Sequence, residues 1–341
     1  MAAHELKSVA ESIVADHKGI LAADESTGTI KKRFDSIGVE STEETRRGYR
    51  NLLFTTTGFE EYIGGVILYD ETIRQRADDG TPFAELLASK GVVPGIKVDT
   101  GAKALAGRPG EVVTFGLDGL PERCDEYVAL GARFAKWRAV ITIGDGIPTD
   151  ACIRANAHAL ARYAAICQGA GLVPIVEPEV LMDADNTIEV CYDATSCTLQ
   201  ATFDELYRQG VDVEGALLKP NMVISGKKCA VQAPAVHVAE LTVDLFRRVV
   251  PAAVPGIVFL SGGQSEVEAT ENLDAINRRG DSPWPLSFSY GRALQASALK
   301  AWGGEAANVE AGQAAFLHRA RMNAAAAAGE WSTELERAVT A

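Results

Sequence analysis

Eight short apolar, β-branched runs recur along the chain, at residues 19–23, 65–69, 92–98, 134–143, 172–176, 215–218, 255–260 and 286–290. Stretches with helical periodicity fill the intervals, among them 121–130, 149–168, 186–209, 234–249 and 266–277, several opened by Asp, Thr or Pro and closed near Gly. This alternation dictates parallel strands, because a parallel connection must travel back along the sheet and needs about a dozen residues or more to do so. Eight repeats predict closure into a (β/α)8 TIM barrel, and 341 residues suit one such barrel with extra N- and C-terminal helices. No Gly-x-Gly-x-x-Gly follows the first run, which argues against a doubly wound dinucleotide fold. No linker-like stretch divides the chain, so residues 1–341 are expected to form a single domain. Around 324–341, the run Ala324 to Ala328 followed by Gly329 predicts a helix end and then a looser tail.

Composition narrows the function classes. A hydrophobic share of 47% with 23% charged residues belongs to a globular chain with a sizeable core. Acidic residues outnumber basic ones by 46 to 33, a net charge of −13 that repels nucleic acid and anionic membrane surfaces. Six cysteines show no Cys-x-x-Cys spacing and five histidines are scattered, so no metal and no cofactor is expected. With neither a signal-peptide core nor an apolar run of membrane length, the expected location is cytoplasmic, with reduced thiols.

Charged residues interrupt the apolar runs near their C-terminal ends. Residues two apart on a strand share a face, which pairs Lys97 with Asp99, Lys136 with Arg138, Glu177 with Glu179 and Lys219 with Asn221, while Asp24 ends the first run. One such residue would be a strand end meeting solvent. Ionisable groups at the same end of five strands point instead to a site at one mouth of the barrel, where barrel enzymes assemble theirs. A lysine amine is a nucleophile only when unprotonated, and a second cation lowers its pKa toward that state. Lys136 and Lys219 are expected to form such a pair. Neighbouring carboxylates then serve the proton transfers of imine chemistry on a carbonyl compound.

Two anion sites flank this cluster in the sequence pattern. Ser261-Gly262-Gly263 and Ser289-Tyr290-Gly291-Arg292 follow the seventh and eighth strands, where glycine amides, a helix N-terminus and a guanidinium suit phosphate. Asp24-Glu25-Ser26-Thr27-Gly28-Thr29, followed by Lys31, Lys32 and Arg33, offers hydroxyls and cations on the other side. The implied substrate carries phosphate at both ends.

These segments identify a family. The chain resembles class I, Schiff-base, fructose-1,6-bisphosphate aldolase through 19–28, 64–68, 95–99, 135–138, 174–179, Leu217-Leu218-Lys219-Pro220-Asn221-Met222, 259–266 and 288–303, from about Leu6 to about Ala320. The resemblance implies an oligomer, a homotetramer or a dimer, that reversibly cleaves fructose 1,6-bisphosphate to dihydroxyacetone phosphate and glyceraldehyde 3-phosphate in glycolysis and gluconeogenesis. It implies Lys219 as the Schiff-base lysine, Glu177 as the acid/base of carbinolamine dehydration with Glu179 beside it, Lys136 as the assisting cation, and Asp24 as the carboxylate supporting Lys219 and bond cleavage. It implies Ser261, Gly262, Gly263, Ser289, Gly291 and Arg292 around the phosphate on C1. Ser26, Thr29, Arg33 and Lys97, with Arg138 nearby, fall to the sugar hydroxyls and the phosphate on C6.

The chain departs from animal members at its end. Those finish in a tyrosine that assists proton exchange on the enamine, whereas this chain finishes Val339-Thr340-Ala341 and its last tyrosine is Tyr290. A carboxylate such as Glu177, or a bound phosphate, is expected to cover that step. Thr29 stands where animal members carry serine and keeps the hydroxyl. Two other readings share these residues: a Schiff-base barrel for another ketose phosphate such as sedoheptulose 1,7-bisphosphate, and a non-catalytic scaffold, which loss of Lys219 or Glu177 would have favoured.

Overall fold

The computed structural model describes residues 3–337. Among them, eight parallel strands close a barrel in strict sequence order. They are β1 (Gly19–Ala23), β2 (Ile63–Leu68), β3 (Val93–Lys97), β4 (Phe134–Ile141), β5 (Val173–Val180), β6 (Leu217–Leu218), β7 (Ile257–Phe259) and β8 (Leu286–Tyr290). All eight sequence runs become these strands, and the fold is the TIM barrel the alternation predicts. Closure is made by Ile20 opposite Ser289. The helices Leu120–Ala129, Asp150–Gly169, Ile188–Arg208, Ala235–Val249 and Glu266–Arg278 fall within two residues of the predicted stretches.

The barrel interior is graded along its axis, and strand period explains how. Ile20 and Ala22 on β1, Phe134 on β4, Val173 and Ile175 on β5, and Leu217 on β6 belong to one apolar cluster inside the barrel. Steps of two along the same strands lead to Asp24, to Lys136 and Arg138, to Glu177 and Glu179, and to Lys219. Each interior face therefore runs from apolar at the strand N-terminus to charged at its C-terminus. The N-terminal helix Ala3–Val14 closes the apolar end, with Leu6, Ala10, Ile13 and Val14 packed into that cluster. This approach requires Gly64, because a Cβ there would lie 2.2 Å from the Ile13 carbonyl oxygen. Gly95 makes room in the same way for the Phe134 ring, 2.2 Å from where its Cβ would be.

Two expectations change. Ala102–Ala104 and Val112–Thr114 pair as an antiparallel ribbon that the sequence pattern does not announce. Its strands are three residues long and exposed on most positions, so no apolar alternation marks them. The stretch from 324 is not loose as far as Arg337: Ala324 to Ala327 complete the helix Val309–Ala327, and Trp331 is buried. The Trp331 N–H donates to Asp274 at 2.9 Å, and its carbonyl accepts from Arg278 at 2.8 Å. The ending Val339-Thr340-Ala341 lies outside the described residues.

Candidate active site

The charged ends of the strands surround a cavity of about 530 Å³ at the C-terminal mouth. Every residue expected at the site lines it except Gly263.

At its floor lies a linked set of charges. The register sets Lys97 beside Lys136 and Arg138 beside Glu177. Lys219 follows directly on β6, its N–H donating to the Val176 carbonyl at 2.8 Å, so the backbone holds it at the rim of the apolar interior. Its ammonium lies 3.1 Å from Glu177 Oε1. Glu177 Oε2 lies 3.5 Å from Lys136 Nζ and makes no hydrogen bond among the described residues. Lys136 is held more tightly by Asp24, at 2.6 Å. Lys136, Glu177 and Lys219 are each no more than 4% exposed.

This arrangement corrects one expectation. Lys136 and Lys219 do not face each other bare; Glu177 stands between them, and each lysine has a carboxylate partner. Unpaired cations at this depth would be strongly unfavourable, which is why the carboxylates accompany them. Burial alone would lower the Lys136 ammonium, but Asp24 first and Glu177 next hold it well above the ordinary lysine value, as a fixed positive charge. Burial likewise pushes the Asp24 carboxyl up, yet Lys136, followed by Lys219, keeps it well below the carboxylate range.

Around this floor the substrate-binding residues take their places. Lys97 donates to Asp99 at 2.8 Å. Arg138 is paired with Glu179, and burial is outweighed there by the carboxylate, which keeps the guanidinium charged. Asn221 does not join them: the strand pattern stops at Lys219-Pro220, and Asn221 turns outward to donate to Thr195 Oγ1 at 3.1 Å while its Oδ1 accepts from the Val180 N–H at 3.0 Å.

On one side of the mouth, Ser261 and Gly262 follow β7, and Ser289, Gly291 and Arg292 end β8 and open the helix Arg292–Trp302. The Ser289 hydroxyl is buried and makes no hydrogen bond among the described residues, and it lines the cavity. The Arg292 guanidinium donates to the Gly262 carbonyl, which joins the two loops. Gly263 departs from expectation because its N–H is taken by Met182 Sδ at 3.0 Å, turning it from the cavity wall.

On the opposite side, the helix Thr27–Asp35 begins at the mouth, with Ser26 as its N-cap residue and the Ser26 and Thr29 hydroxyls 3.1 Å apart. Arg33 reaches the cavity from its second turn. Sequence reasoning missed what holds Arg33 there. Glu25, 8% exposed, pairs with Arg33 and, at 2.5 Å, with the buried Arg50. Gln295, one turn into the helix that Arg292 opens, donates to Glu25 at 3.1 Å and to the Ala22 carbonyl at 2.8 Å. Lys32 and Ser36 complete this wall. The only linear signal was an acidic residue next to Asp24; its partners lie 25 and 270 positions away.

Burial raises the Glu25 carboxyl, but Arg33 and then Arg50 bring it below its ordinary value. Such a group stabilises the fold fully above the unfolded carboxyl pKa of about 4.3, and that contribution is lost as pH falls through the folded value. Glu25→Gln strands two arginines, one of them deeply buried, and is expected to cost about 3 kcal/mol of stability at neutral pH. Denaturant unfolding of the variant at pH 7 checks the size, and repeating it at decreasing pH should show the difference from wild type shrinking.

Comparison with known proteins agrees with this geometry. A family model described as "Fructose-bisphosphate aldolase class-I" matches residues 5–341. The chain is 56% identical over 332 residues to a "Probable fructose-bisphosphate aldolase class 1" of Xanthomonas campestris, covering 97% of this chain and 99% of that one. It is 55% identical to "Fructose-bisphosphate aldolase 6, cytosolic" of Arabidopsis thaliana, covering 96% and 92% of the two. A solved structure of fructose-bisphosphate aldolase from Plasmodium falciparum, in complex with TRAP and a small-molecule inhibitor, superposes with a TM-score of 0.95 at 52% identity, over 97% of this chain and 96% of that one.

Proposed function

The chain belongs to the class-I fructose-bisphosphate aldolase family, and we propose on that premise how its barrel mouth performs the reversible cleavage of fructose 1,6-bisphosphate to dihydroxyacetone phosphate and glyceraldehyde 3-phosphate. The enzyme is a lyase of the glycolytic aldolase type, working through a lysine Schiff base. The observation that carries the assignment of roles is the Lys219–Glu177–Lys136–Asp24 set at the floor of a cavity walled by cations on two sides.

In this reading Lys219 Nζ, having passed its proton to Glu177, attacks C2 of the ketose. The carbinolamine hydroxyl then leaves as water, with the proton returned by Glu177, whose two oxygens face both lysines. Lys136 stays charged throughout and stabilises the oxygen that develops negative charge. Once the iminium has formed, Asp24 takes the proton of the C4 hydroxyl. The electrons of the C3–C4 bond move to the iminium as an enamine, and glyceraldehyde 3-phosphate departs. Protonation at C3 and hydrolysis release dihydroxyacetone phosphate and return the amine. The C1 phosphate is assigned to Ser261, Gly262, Ser289, Gly291 and Arg292, and the C6 phosphate to Ser26, Thr29 and Arg33, with Lys97 and Arg138 on the sugar hydroxyls. The free Ser289 hydroxyl supports the first assignment.

The whole chain is read as one domain, acting in the cytoplasm as a homo-oligomer, tetramer or dimer. Among the described residues no helix is long and apolar enough to cross a membrane, and one relative is named cytosolic. A coupled assay on purified protein should show cleavage of fructose 1,6-bisphosphate at a kcat/KM well above that for sedoheptulose 1,7-bisphosphate, undiminished by EDTA. Inactivation by the chelator, or preference for the longer sugar, would overturn this reading. Light scattering on the same sample should give two or four times the 36.2 kDa chain mass.

A further inference from the structure

The loop carrying Gly262 and Gly263 has a second cation beside it that no sequence motif indicates. After Lys219 the chain runs across the mouth and is stitched to the segment following β5. Gly226 N–H donates to the Asn186 carbonyl at 2.9 Å, Lys227 N–H to Met182 at 2.7 Å and Lys228 N–H to Ala184 at 3.0 Å. Gly226 is required for this approach, since a Cβ there would lie 2.3 Å from the Ala184 carbonyl oxygen. The stitching aims Lys227 at the neighbouring loop. A Cβ placed on Gly263 would lie 1.9 Å from its Cε and 2.0 Å from its Nζ, so the ammonium rests directly against the Gly263 α-carbon. That ammonium makes no ion pair and no hydrogen bond among the described residues.

The same corner has lost an anion ligand. Met182 occupies the Gly263 N–H, leaving that amide unable to meet a phosphate. Arg292 reaches the Gly262 carbonyl from the other side of the turn. Two cations, one a rigid fork and one a flexible point charge, thus flank one glycine turn, and only one of them is anchored by the helix it opens.

We propose that Lys227 is a second cation of this phosphate loop, a specificity residue that strengthens binding of the substrate half whose phosphate lies next to the reacting ketone. This rests on the proposed assignment of the C1 phosphate to the Ser261–Gly262 loop. Lys227 lies outside the reacting set, so its contribution falls on phosphate affinity and leaves the chemical step alone.

The condensation direction tests this, because it presents the two halves as separate substrates. Lys227→Gln should raise KM for dihydroxyacetone phosphate about three- to fivefold, the size of one partly exposed charge contact. It should leave KM for glyceraldehyde 3-phosphate unchanged and kcat within about twofold, and Lys227→Arg should restore the wild-type value. An unchanged KM for dihydroxyacetone phosphate, or a parallel rise in both KM values, would overturn the proposal. Borohydride reduction with dihydroxyacetone phosphate separates the two failures. Wild-type protein that gives no Lys219 adduct removes the underlying reading, whereas a normal adduct with an unchanged KM removes only the role of Lys227.

Discussion

Lys219→Ala is expected to lower kcat/KM for fructose 1,6-bisphosphate by about 10⁵-fold, because the covalent step and the proton transfers that depend on it disappear together. The surroundings explain why no neighbour can take over. Lys136 is the other amine at this depth, and Asp24 at 2.6 Å with Glu177 at 3.5 Å keeps it protonated. A protonated amine has no lone pair to attack a carbonyl. Lys219→Arg separates charge from nucleophilicity: it keeps a cation next to Glu177 and so preserves the balance of the buried network, yet it should be as inactive as the alanine variant. Steady-state kinetics on both, with circular dichroism to show that both are folded, check the expectation. Substantial activity in the arginine variant would mean that position 219 contributes charge alone.

Glu177→Gln should lower kcat by about 10²- to 10⁴-fold while leaving KM within a fewfold, the pattern of a lost general acid/base. The amide keeps the volume and can still accept a hydrogen bond from Lys219, but it can neither take the lysine proton nor return it to the departing hydroxyl. The variant also removes the negative charge that lies between two cations. Lys219 then faces Lys136 without a screen, so the pH at which imine formation begins should move downward. A second readout addresses the absence of a C-terminal tyrosine from the sequence. If Glu177 also serves enamine protonation, exchange of the C3 hydrogen of dihydroxyacetone phosphate with solvent should fall in step with cleavage. Exchange at the wild-type rate would assign that step to another group, such as the bound phosphate.

Much of this site was legible in the linear chain because a barrel translates sequence position into spatial position with little freedom. A step of two along a strand keeps a residue on the interior face, so Phe134, Lys136 and Arg138, or Ile175, Glu177 and Glu179, mark one continuous line from core to mouth. That rule fails where the strand ends. Asn221 was paired with Lys219 by the same arithmetic, but Pro220 interrupts the ladder and Asn221 serves the outer layer through Thr195. Gly263 was read from a glycine pair without knowing that Met182, 81 positions earlier, would claim its N–H. Glu25 and Lys227 were missed for a related reason: each acquires its meaning from a partner on another loop, and neither lies on a strand whose periodicity would orient it. The expected bare pair of lysines was the chemical counterpart of these errors. Sequence placed the cations at one mouth, but only the fold shows Glu177 seated between them.

The most direct test of the central claim is to incubate the enzyme with dihydroxyacetone phosphate, reduce with borohydride, digest, and locate the adduct by mass spectrometry. The expected result is stoichiometric modification of the peptide carrying Leu217-Leu218-Lys219-Pro220-Asn221-Met222 at Lys219, formed equally in EDTA and absent without substrate. An adduct on Lys136 or Lys97, or no adduct in an enzyme that still cleaves its substrate, would contradict it.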